Sequence, residues 1–162
     1  MRLLQFRKTQ KRKGTTLVET AVVLPIFFTF LFGFIEFGHV FMTIHTLNSA
    51  ARRAARLGVS ELATTDEVRT LAHDILDSAI DADLENVKIQ VKDASDFDDI
   101  AVDAGAMDDT YYESLPNVAV QDLERGSLFI VRIEVPYGEV GILGPRWIGD
   151  IKLYGQAVMR KE

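Results

Sequence analysis

Glu19 stands at the head of a run that carries no further charge until after Ile35, and it follows Gly14 by five positions. A carboxylate in hydrocarbon is costly unless a cation pairs with it. The junction Lys11-Arg12-Lys13-Gly14-Thr15-Thr16-Leu17-Val18-Glu19 suggests where that cation would come from. Cleavage of the Gly14–Thr15 bond would create an α-amino group at Thr15. That amine could neutralise Glu19 of a neighbouring copy, one helical turn out of register. The chemistry is then hydrolysis performed on this chain, followed by ion pairing.

The elements around this junction follow from charge and hydropathy. Arg2, Arg7, Lys8, Lys11, Arg12 and Lys13 form a leader with no acidic residue. From Thr15 onward, 12 basic residues remain against 24 acidic ones, so the overall charge of −6 conceals a strongly acidic body. A basic block beside an apolar helix is expected on the cytoplasmic side, and Arg7, Lys8, Lys11, Arg12 and Lys13 are the topology-determining residues. The acidic body is expected in the periplasm, and it argues against nucleic acid as a partner because it would repel phosphates. The chain has no cysteine, which removes disulfides, zinc–thiolate sites and cysteine nucleophiles from consideration.

From Thr20 to Ile35 the sequence is crowded with Phe, Leu, Val and Ile. With its flanks it reaches the roughly 20 residues that a bilayer core requires. The run is longer than the apolar core of an ordinary secretory signal, and no small-x-small cleavage site follows it. Pro25 lies inside and removes one backbone donor. Glu36 falls roughly 30 Å beyond Thr15, where an interfacial carboxylate is expected. Helix-forming sequence continues through Ala50, Ala51, Ala54 and Ala55 to Leu57, with Gly58 as its natural stop. One helix of roughly 65 Å is expected.

Beyond Gly58 an α+β domain is expected. Thr64-Thr65-Asp66-Glu67 has the spacing of a capping box, and Val68, Leu71, Ala72, Ile75, Leu76 and Ala79 recur at helical spacing. Residues 87–91, 128–135 and 151–159 predict three strands of a small antiparallel sheet. A long acidic stretch, 93–109, reads as a solvated loop. Calcium suits clustered carboxylates, but Ile100 and Ala101 break any EF-hand register. Of the three histidines, His39, His45 and His73, the first two are six apart on one helix and do not share a metal-binding face well, and neither a Gly-x-Ser-x-Gly nor a Walker motif is present. No cofactor, resident metal or enzymatic activity is expected.

Three stretches resemble the TadE-like pseudopilins of tight-adherence (Flp-type, type IVb-like) pilus assembly systems. They are Gly14 with Thr15-Thr16-Leu17-Val18-Glu19, then Ile35-Glu36-Phe37-Gly38, then the Ala/Arg segment from Asn48 to Arg56. The resemblance covers about the first 58 residues. It implies a basic prepilin leader (1–14), a transmembrane spine helix (15–58) and an extracytoplasmic α+β domain (59–162). It implies cleavage by a prepilin peptidase between Gly14 and Thr15, with Glu19 serving subunit assembly. The implied partners are that peptidase, other pilin and pseudopilin subunits, the inner-membrane assembly machinery and membrane lipid. The implied location is the inner membrane as a single pass, with possible entry into an extracellular pilus. Two alternatives are a permanently anchored periplasmic binding or sensor protein, in which Gly14 is never cut, and a membrane-tethered enzyme using the acidic loop.

Overall fold

The structure is a computed structural model that describes residues 13–80, 86–98, 109–142 and 151–162. Two compact units divide the chain between Phe37 and Gly38. Helix α1 runs from Lys13 to Gly58 and includes Pro25 without ending there. Helix α2 (Thr65–Ala79) follows, then β1 (Lys88–Asp93), a short α3 (Asp109–Ser114), β2 (Leu128–Pro136), a single turn α4 (Tyr137–Val140) and β3 (Lys152–Arg160). The α+β class expected from the pattern is what the chain adopts.

The first unit holds the apolar part of α1. Its threonines satisfy their own hydroxyls along the helix: Thr20 donates to Thr16 O at 2.8 Å and Thr29 to Pro25 O at 2.8 Å. Such back-bonding lets a hydroxyl enter an apolar environment without an unmet donor.

The second unit is built on an antiparallel sheet in the order β1-β2-β3. Strand alternation sorts the side chains. Ile89 and Val91 of β1, Phe129, Val131, Ile133 and Val135 of β2, and Leu153 and Ala157 of β3 join one core. Leu47, Ala50, Ala51, Ala54 and Ala55 of α1 close that core together with Val68, Ala72 and Leu76 of α2. The register is unbroken, with Val131 opposite both Val91 and Ala157.

The alanines have a geometric purpose. All four are fully buried, and they let α1 lie directly on β3. A Cβ added at Gly155 would stand 2.3 Å from the carbonyl carbon of Leu47 and 2.4 Å from the nitrogen of Asn48. Only a residue without a side chain permits two backbones to approach this closely. Asn48 fastens the contact by accepting the Gln156 N–H on Oδ1 at 3.2 Å.

The capping box forms as expected. Glu67 N donates to Thr64 Oγ1 at 3.3 Å, and Thr64 N donates to Glu67 Oε2 at 2.9 Å. Thr65 then ties this end of α2 to the turn at Val120–Asp122, accepting from Val120 N at 2.8 Å. Two buried lysines close helix C-termini, where orphan carbonyls attract cations. Lys161 Nζ donates to Gly58 O at 3.1 Å and Ser60 O at 2.6 Å at the end of α1. Burial lowers the pKa of this ammonium, opposed by the Glu61 carboxylate. Lys92 Nζ donates to the carbonyls of Tyr112, Glu113 and Leu115 at 2.9–3.1 Å at the end of α3.

Replacing Gly155 with valine is expected to force α1 off the sheet. The expected loss is about 3 kcal/mol of stability, the upper range for overpacking. Thermal unfolding of the full chain in detergent micelles measures it, and an unchanged Tm would show that the α1–β3 contact yields freely.

Candidate functional site

The sequence-predicted site lies at the start of α1. Gly14 is exposed, with nothing within 4 Å of where a Cβ would stand. Residues 13–16 form the first turn, whose backbone donors have no intrahelical acceptors. No acidic residue offsets the helix dipole there, and a lysine at that end has the wrong sign for it. Glycine also has poor helix propensity. The Gly14–Thr15 bond therefore sits in an accessible, weakly held turn. An amine created at Thr15 would lie at the positive end of the dipole, which increases its need for an anion.

Glu19 is exposed and has no ion-pair partner among the described residues. Around and after it, Leu17, Val18, Val22, Val23, Phe27, Phe30 and Phe34 are all exposed. A continuous apolar surface of this size calls for lipid or other helices. Among the described helices, α1 alone is long and apolar enough to cross a membrane, and its most apolar window is wholly unburied within the chain. Arg7, Lys8, Lys11 and Arg12 lie outside the described residues; Lys13 opens α1.

Glu36 differs from expectation. It is 7% exposed and engaged in an interaction within the chain. A carboxylate tolerates such burial where it has a partner. His39 is held by a hydrogen bond, its Nε2–H donating to Val140 O at 2.7 Å in that tautomer. Of the acidic stretch 93–109, residues 99–108 lie outside the described residues.

The sequence did not reveal a charged cluster on the sheet face opposite α1. Arg132 of β2 is 3% exposed, its guanidinium carbon 4.3 Å from the centre of the Tyr112 ring and 3.9 Å from that of Tyr154. Arg132 pairs through Nη2 with Asp109 and through Nε with Glu134 at 3.4 Å, the latter without hydrogen-bond geometry. A depression of about 310 Å³ beside it is lined by Asp109, Glu113, Glu134 and Lys152 as well as Tyr154. Cation and anions here already pair with one another, so the cluster reads as the device that attaches α3 to the sheet. Its one sequence signal was the charged Arg132-Ile133-Glu134 alternation inside an otherwise apolar strand.

The exposed apolar helix is consistent with a single-pass membrane anchor, and its C-terminal part is built into a small α+β unit. In comparison with protein families, residues 14–56 match the model of the TadE-like protein family. The matched segment, about a quarter of the chain, holds Gly14, Glu19 and the alanines packed on β3. No significant match was found among curated proteins or solved structures.

Tyr112 is 1% exposed, and burial raises its phenol well above the ordinary 10.0, with Arg132 opposing and Glu134 adding to the rise. A raised folded pKa means that the unfolded chain ionises first. Tyr112's contribution to stability is whole below pH about 10 and is lost as pH climbs toward the folded value, at about 1.4 kcal/mol per pH unit. Tyrosinate absorbance should show this residue titrating only as the chain unfolds; in Tyr112→Phe the alkaline loss should be smaller.

Proposed function

We propose that this chain is a minor pilin-like subunit, a pseudopilin, of a tight-adherence pilus machine. A prepilin peptidase cuts between Gly14 and Thr15. Helix α1 then holds the protein in the inner membrane, with the basic leader cytoplasmic before cleavage and the α+β unit periplasmic. The protein acts by assembly rather than catalysis. Its partners are the peptidase, other pilin and pseudopilin subunits and the inner-membrane assembly machinery.

The observation that carries this reading is the unpaired Glu19 at the head of an exposed apolar helix, inside the segment that matches the TadE-like family. A simple anchor has no use for a carboxylate at that depth. A processed subunit does, because its neighbour's new N-terminus supplies the cation. The physical roles are then distinct: Gly14 allows the cut, Thr15 becomes the cation and Glu19 receives it.

The test is the intact mass of the membrane-extracted protein, expressed with and without a tight-adherence prepilin peptidase. Loss of Met1–Gly14 only when the peptidase is present is expected, and Gly14→Leu should abolish it. A chain left uncut by a peptidase that is active on another prepilin would favour the permanently anchored binding protein instead. In a second measurement, Glu19→Gln should still be cut. It should, however, lose about tenfold or more of its co-purification with pilin subunits, as expected for removal of a desolvated ion pair.

A further inference from the structure

Helices α1 and α2 lie side by side, with His45, Ser49 and Arg53 lining one depression together with Ile75 and Ser78. Both bury their inner faces in the same core, so both outer faces look away from the sheet. Those outer faces carry opposite charge. On α1 the residues opposite the buried alanines are Arg52, Arg53 and Arg56, all exposed. None of the three has an ion-pair partner among the described residues, although acids outnumber bases two to one after the leader. On α2, Asp74 and Asp77 are exposed three residues apart and have no ion-pair partner among the described residues, while Asp66 nearer the start of the helix pairs with Arg69 at 3.8 Å.

We propose that a second copy of this chain docks across these two faces, the α1 arginines of each against the α2 aspartates of the other. A two-fold axis running along the helices makes both pairings at once, since each copy's left side then meets its partner's right. The same axis leaves the two α1 helices parallel, as two copies held in one membrane require. A uniformly acidic surface would make copies repel, whereas this division of charge makes them self-complementary in the manner of an isologous interface. Exposed ion pairs are individually weak. Anchoring in a membrane raises the effective concentration enough for several of them to matter. The proposal rests on the membrane-anchored reading above and specifies one contact that such subunits make.

The test is self-association of the full-length chain in detergent micelles at low salt, followed by sedimentation. Reversing the basic face (R52E, R53E, R56E) or the acidic face (D74K, D77K) should each weaken self-association about tenfold or more. Mixing the two reversed proteins should restore association as a heterodimer, because both contacts are then opposite in sign again. Unchanged association in either variant, or no recovery on mixing, overturns the proposal. So does loss confined to the arginine variant and dependent on added anionic lipid, which would assign that face to lipid phosphate. All these residues are exposed, and circular dichroism checks that both variants keep their helices. Cleavage after Gly14 is scored on the same samples by mass. A cut chain with no recovery on mixing therefore rejects the docking alone, and an uncut chain that does recover rejects the processing alone.

Discussion

The second unit depends on one contact, the backbone of α1 resting against the backbone of β3. Gly155 permits it, the alanines at 50, 51, 54 and 55 shape the helix for it, and Asn48 fastens it. Small residues contribute little hydrophobic area themselves, but they bring two whole elements into dispersion contact at the density of a protein interior. The larger side chains of β2 and α2 then fill the space around that seam. A bulkier helix face would stand further from the sheet and leave Phe129 and Val131 without neighbours.

Helix α1 is common to both units. The same helix that presents an unpaired carboxylate and a bare apolar surface in one unit serves as a core element of the other. The Lys161 ammonium and the Thr65–Gln121 bonds hold the elements next to α1 at fixed positions. On the far face, the stacked Tyr112, Arg132 and Tyr154 fix α3 without any part in the apolar helix. The sheet therefore has a packed apolar side that takes up the helices and a paired ionic side that takes up the loops.

Local chemistry made much of this readable in advance. The capping box at Thr64–Glu67, the end of α1 at Gly58 and the three strands each follow from signals a few residues long, and each appears within a residue or two of its expected bounds. Long-range pairing was not readable in the same way. Nothing near Gly155 indicates that a helix a hundred residues earlier will press on it. The burial of Lys92 and Lys161 had no local signal, because their acceptors are carbonyls exposed only by the ends of other elements. The single helical turn at Tyr137–Val140 was likewise not anticipated. At the candidate site, Gly14 and Glu19 could be picked out by type and spacing, whereas the burial of Glu36 could not.

The Asn48–Gln156 bond joins positions 108 residues apart. A contact of that span forms late and slowly, because the loop it closes must lose its entropy before the contact can repay it. While the chain is being made, the alanine face of α1 emerges early and waits for a strand that comes more than ninety residues after the helix ends. Throughout that interval the helix has no sheet to lie on. A nascent chain of this kind is most vulnerable to the wrong partner, or to a protease, between the arrival of its spine and the arrival of β3.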